Sequence, residues 1–199
     1  MSATSLPLVE HLWQASTRAA RVTRVIVLVV AGTAVLAVSA KVQVPFVPVP
    51  FTMQTAVVLV IGLTYGMRLG VATVAAYLAE GAAGLPVFAA GGGAAYLLSS
   101  PTAGYLWGML AAAGLMGVLA ERGWDRTIPK ALGAMLIGTA AIFAVGIGRL
   151  AYMIGAGPAV DAGLVPFLGS EALKIALVAV TLPTVRGLVD RGLGAADRD

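Results

Sequence analysis

Apolar residues fall in six runs, 25–40, 52–65, 69–79, 102–120, 131–154 and 167–185, separated by short basic breaks or by stretches rich in glycine and proline. Most of these runs approach the roughly 20 residues that a helix needs to cross a bilayer core, but the second and third are short. They could fuse into one long helix through Gly66-Met67-Arg68, giving five spans. Alternatively, Gly66 closes a tight turn and gives six.

Charge decides between the two. With six spans and an inner N-terminus, Arg18, Arg21, Arg24, Arg68, Arg122, Arg126, Lys130, Arg186, Arg191 and Arg198 all lie inside, and only Lys41 lies in an outer loop. That asymmetry follows the positive-inside rule, and a five-span arrangement would throw Arg122, Arg126 and Lys130 outside. The expected fold is an all-α membrane protein: a bundle of six transmembrane helices whose Gly/Pro-rich outer loops form a binding pocket. Residues 1–24 are expected as a cytoplasmic tail, 25–186 as the substrate-binding membrane domain, and 187–199 as a second cytoplasmic tail, disordered from Arg191. The first tail, with the only histidine, His11, could lie as a surface helix on the inner leaflet or be a loosely ordered end. A secretory signal is disfavoured, because the segment before the first run is long and the run itself exceeds the usual signal core.

Composition agrees with a membrane chain. Of 199 residues 59% are hydrophobic and 11% charged, against about 45–50% and about 25% in soluble proteins. The 25 glycines suit closely packed lipid-embedded helices better than an outer-membrane barrel. The net charge of +4 comes from basic residues scattered between apolar runs, with no basic stripe or interleaved aromatics for nucleic acid. The absence of cysteine excludes disulfides and thiol chemistry, and one histidine makes an intramembrane histidine metal site unavailable. No Gly-rich loop ends in Gly-Lys-Ser/Thr, so the chain cannot by itself hydrolyse ATP in the usual way. An enzyme is not expected, and no catalytic or metal-ligating residue is assigned.

The outer stretches 42–52, 81–100 and 155–166 carry the prolines and the Gly91-Gly92-Gly93 run. Irregular backbone at membrane depth is tolerated where it is buried in protein or lines a cavity, so these segments are candidate walls of a site, or else plain connectors. Ionisable residues within or near the spans are Glu80, Arg149, Glu171 and Lys174. Such groups turn away from lipid and find partners. Glu171 and Lys174, three apart, share one helix face near its outer start, where they either neutralise each other or meet a polar solute. Glu80 and Arg149 could form a second pair. Gly104 and Gly108 make a small-residue face for helix packing, and Tyr96 and Tyr105 could stack on a ligand.

Four motifs in order, Pro48-Val49-Pro50-Phe51-Thr52-Met53-Gln54, Gly81-Ala82-Ala83-Gly84-Leu85-Pro86-Val87-Phe88 with the glycine run, Pro101-Thr102-Ala103-Gly104-Tyr105-Leu106-Trp107-Gly108, and Pro166-Phe167-Leu168-Gly169-Ser170-Glu171-Ala172-Leu173-Lys174, resemble the BioY family. Its members are the biotin-binding S components of energy-coupling factor (ECF) vitamin transporters. The resemblance implies biotin as the transported ligand with no other cofactor, and a cell-membrane location. It also implies partnership with a transmembrane coupling subunit and two cytoplasmic ATPases. On it, Lys174, Glu171, Tyr105 and backbone groups of Gly91, Gly92 and Gly93 are expected to supply polar contacts, with Phe51, Val87 and Phe88 enclosing the apolar part of the ligand. Thr33 and Ala37 keep the small-residue spacing of a docking face for the coupling subunit. Two departures stand out: Ser170-Glu171 where the family usually has glycine and aspartate, and Ser100 and Ala103 within the third motif. The alternatives are an S component for another vitamin, a small intramembrane enzyme, or a structural membrane subunit.

Overall fold

The computed structural model describes residues 7–13 and 15–196. Arg198, counted above among the inner charges, and the side chain of His11 lie outside the described residues. Among the described residues eight α-helices follow one another: α1 (Leu8–Leu12), α2 (Arg18–Lys41), α3 (Gln54–Ala82), α4 (Ala94–Ser99), α5 (Ala103–Glu121), α6 (Ile128–Ile154), α7 (Ala156–Gly163) and α8 (Leu168–Ala196). A two-residue antiparallel ribbon pairs Gln43 with Thr52 and Val44 with Phe51, and a 3-10 turn, Val165–Phe167, leads into α8. Among the described residues five helical stretches are long and apolar enough to cross a membrane: Arg18–Lys41, Gln54–Ala82, Ala103–Glu121, Ile128–Ile154 and Ala156–Arg191.

Local signals set the helix ends. The Thr17 hydroxyl accepts from the Ala20 N–H at the start of α2. Proline in the first turn opens α6, and Gly155, at φ 91°, closes it. The second and third apolar runs both lie in α3, where Gly66 (φ 78°, ψ 177°) breaks the helical backbone. At this residue the chain folds back. In a continuous helix rising about 1.5 Å per residue, Gln54 and Tyr77 would stand roughly 35 Å apart. Instead, the Gln54 amide donates to the Tyr77 hydroxyl at 2.7 Å. Glu121 secures the reversal by accepting the Met67 N–H at 3.0 Å.

Glycine allows the two arms of α3 to pack closely on α5, and α5 on α6. A Cβ at Gly62 would lie 2.9 Å from the Ala113 carbonyl oxygen, and one at Gly108 would lie 2.7 Å from that of Ile142. The Gly104/Gly108 face therefore meets α6. The core runs along this contact through Leu59, Leu63, Val74, Met116, Met135 and Ile142. Many large apolar side chains, among them Val30, Val38, Leu173, Leu177 and Leu188, point outward, the surface that lipid covers.

Two expectations change. The backbone from Arg191 stays helical to Ala196 rather than losing order, with Gly192 and Gly194 inside the last turns of α8. The N-terminal helix is only five residues long, and its Glu10 pairs with Arg24 of α2 at 3.6 Å. Thr33 is 4% exposed beside Gly32, which packs on α3, while Ala37 is half-buried. Small-residue spacing marks a face but not its direction.

Candidate functional site

The connections between α2 and α3, α3 and α5, and α6 and α8 gather at the end of the bundle opposite Gly66. Side chains join them. Lys41 donates to the Phe88 carbonyl (2.6 Å), Gln43 to that of Ala89 (3.1 Å), and the Tyr77 hydroxyl to that of Val87 (2.9 Å). Segment 87–89 is thereby held across its three carbonyls by donors from three different elements.

Beneath it lies a cavity of about 50 Å³, small beside the roughly 300–1,000 Å³ typical of small-molecule sites. Its apolar walls include Val49, Phe88, Leu106, Met109, Phe143 and Phe167, and its polar groups come from Thr52, Gln54, Thr55, Tyr96, Thr102, Tyr105 and Glu171.

Glu171 and Lys174 come from the first turns of α8. An acidic side chain there is favoured by the positive end of the helix dipole. Both are buried, at 5% and 9% exposure. The Lys174 ammonium donates to Glu171 Oε1 (2.7 Å), the Thr52 carbonyl (2.6 Å) and Thr55 Oγ1 (3.1 Å). Thr55 donates in turn to Glu171 Oε1 at 3.0 Å. An ammonium has three N–H groups, so Lys174 is fully committed. Oε1 accepts two hydrogen bonds, while no hydrogen bond reaches Oε2 among the described residues. The ion pair thus bridges α8 to the start of α3. Its carboxylate lines the cavity with one oxygen still open to an N–H donor, and Lys174 stands behind it.

Of the other expected contacts, Phe88 and Tyr105 line the cavity. Tyr105 donates its hydroxyl to the Gly163 carbonyl (2.8 Å) and meets Phe143 edge-on, so it fixes the loop after α7 and offers the cavity its ring. Phe51 lies behind Phe167, stacked on it at 4.2 Å between ring centroids. Val87 contributes its carbonyl to Tyr77 rather than a wall. The three glycines also stand outside the cavity lining. The Gly93 N–H is committed to the Gly81 carbonyl at 2.7 Å, and Gly91, at φ 79°, lets the chain pass where a Cβ would meet the Tyr96 ring at 2.6 Å. The glycine run therefore seats Tyr96. Arg149 donates to the Leu98 carbonyl (3.0 Å) and lies 5.8 Å from the Tyr152 ring, so its partners are these and not Glu80.

Sequence reasoning did not assign Thr52, Gln54 and Thr55, although two of them stand inside a quoted motif. Phe143, Phe167, Met109 and Thr102 were missed as walls. A second buried ion pair, Asp125 with Arg186, ties the α5–α6 connection to α8 at the Gly66 end. Arg186 is 2% exposed, so it is a core residue and not only a marker of the inner face.

The fold is a helical membrane bundle, and the site is an apolar cavity with a held carboxylate in its wall. The BioY family sequence profile matches residues 10–191, and the chain belongs to that family. It is 35% identical to the biotin transporter BioY of Thermotoga maritima over 149 residues, 74% of this chain and 87% of the relative. It is 32% identical to the probable biotin transporter BioY of Rickettsia prowazekii over 167 residues, 82% of this chain and 84% of the relative. The fold superposes with a TM-score of 0.70 on the crystal structure of an S-component for biotin from an ECF-type ABC transporter, at 25% identity, covering 87% of this chain and 95% of the other.

Proposed function

We propose that this protein binds biotin and carries it across the cytoplasmic membrane as the substrate-specific subunit of an ECF-type transporter. The observation that carries the reading is Glu171: a buried carboxylate, held by Lys174 and Thr55, with Oε2 open beside apolar walls. The ureido ring of biotin supplies N–H donors for such an oxygen, and its thiophane ring and valeryl chain match the walls. Charge-assisted hydrogen bonds of this kind are about twice as strong as neutral ones. In this reading Lys174 positions Glu171, and Phe88, Phe143, Phe167 and Tyr105 enclose the ligand.

Six crossings are supported by the reversal at Gly66, and both termini on the cytoplasmic side by the distribution of arginine and lysine. The cavity then opens to the outside. The chain has no ATP-binding loop, so coupling to a transmembrane subunit and two cytoplasmic ATPases would provide the energy. No step of chemistry on biotin is required, so the protein acts as a binding subunit and not as an enzyme.

Purification from cells grown on biotin tests the reading. The expected result is co-purified biotin close to one per chain, lost in Glu171→Leu. Protein that carries none, and that takes up none when biotin is added, would overturn it.

A further inference from the structure

At the Gly66 end, opposite the cavity of Glu171, a cleft of about 540 Å³ opens between α1, the start of α2 and the second arm of α3. Two arginines and two glutamates line it: Arg24, Arg68, Glu10 and Glu121. Both signs of charge have unused capacity. One terminal nitrogen of Arg24 donates to the Trp13 carbonyl (2.8 Å) and the other stands 3.6 Å from Glu10, but the Nε–H is buried without an acceptor. Arg68 is exposed, and among the described residues its guanidinium meets no carboxylate or carbonyl. Glu121 accepts the Met67 N–H through Oε1, and no described residue donates to its Oε2. A buried N–H left without an acceptor is destabilising, and a bound anion would relieve it. The rest of the lining is largely apolar and includes Val25, Leu69 and Ala72. Ala72 stands about one turn beyond Arg68 along α3, toward the bilayer interior. From Val25 an exposed apolar face continues along α2 through Ile26 and Val30. Exposed Trp13, beside Arg24, is of the residue type that settles at headgroup depth.

We infer that this cleft binds the headgroup of phosphatidylethanolamine, with the acyl chains against the exposed face of α2. The phosphate takes the Arg24 Nε–H and the Arg68 guanidinium, and the ammonium donates to Glu121 Oε2. A basic pocket between helices at the cytoplasmic end of a bundle suits a lipid phosphate, and the two carboxylates add a choice among phosphates. Phosphatidylglycerol would leave the carboxylates facing an anion with no cation between them. Phosphatidylcholine has the cation, but its quaternary nitrogen carries no N–H to give. The inference concerns the inner end of the bundle and is independent of what the Glu171 cavity binds.

Native mass spectrometry of the detergent-purified, delipidated protein tests it, with phosphatidylethanolamine, phosphatidylcholine and phosphatidylglycerol of matched chains added in equal amounts. The unsubstituted protein is expected to retain phosphatidylethanolamine about two- to fivefold over the other two, the scale of one partly exposed charge pair. Glu121→Gln keeps an oxygen for the Met67 N–H and is expected to erase the advantage over phosphatidylcholine. Arg68→Gln is expected to lower retention of all three lipids, with the gel-filtration profile of both variants unchanged. Equal retention of the three lipids by the unsubstituted protein, or a preference that survives both substitutions, would overturn the inference. Water-soluble O-phosphoethanolamine that displaces the lipid at equal concentration would reassign the cleft to a free phosphate compound and overturn it too. So would variants that keep the lipid preference but no longer assemble with a coupling subunit, which would make the cleft a protein-docking surface.

Discussion

Lys174→Ala is the most informative single change at the site. It removes the ammonium that faces the Thr52 carbonyl, Thr55 Oγ1 and Glu171 Oε1, leaving a carboxylate that is 5% exposed with Thr55 as its one donor. Removing one member of a buried pair costs about 3–5 kcal/mol as long as the survivor stays charged. The variant therefore loses Glu171 as a held, charged acceptor for the ligand. The loss in binding is then that of one charge-assisted hydrogen bond, about 1.5–3 kcal/mol. At 1.4 kcal/mol per tenfold, biotin affinity falls by about 10- to 150-fold. Lys174→Ala and Glu171→Gln should each show this loss, and the double variant should lose little more, since both disable one acceptor. Calorimetric titration in detergent measures it, with gel filtration confirming a folded monodisperse protein. An affinity within about threefold of the unsubstituted protein, or losses that add in full, would refute the reasoning.

The remaining predictions concern the frame. Asp125→Leu alone removes the buried ion pair with Arg186 and should lower the melting temperature with biotin affinity unchanged; adding Arg186→Met should recover part of the loss, as thermal unfolding read by fluorescence would show. Gly108→Val places a branched side chain where even a Cβ meets the Ile142 carbonyl oxygen at 2.7 Å, and should abolish monodisperse expression by separating α5 from α6. Gly66→Ala forces a Cβ onto a backbone at φ 78° and toward Pro7, and should destabilise the fold by about 1–2 kcal/mol or more, measured as a lower detergent denaturation midpoint.

Much of this architecture is legible in the chain because lipid imposes strong, local rules. Apolar runs locate the spans, basic residues order them, and Gly66 was readable as a turn because no other residue type adopts its φ so readily. Glu171 and Lys174 were visible because charge within an apolar span needs a reason, and their spacing placed them on one face. What the chain concealed depends on contacts distant in sequence. Thr52 and Thr55 reach Lys174 across 122 and 119 residues, and Asp125 reaches Arg186 across 61. Nothing local in either partner announces the other. The glycine run signalled unusual backbone but not its purpose, which at Gly91 is to make room for the Tyr96 ring. The direction of a helix face was equally hidden. Thr33 carries the spacing of a docking stripe but is buried, and only packing settles that.

The account depends on Glu171 presenting an open carboxylate oxygen to the N–H groups of biotin. Its most direct test is calorimetric titration of the purified protein, emptied of ligand, with biotin, thiamin, riboflavin and niacin, repeated on Glu171→Gln. The account predicts saturable one-to-one binding of biotin alone, weakened about tenfold or more by the substitution. Binding of another of these vitamins in preference to biotin, or biotin affinity indifferent to Glu171→Gln, would contradict it.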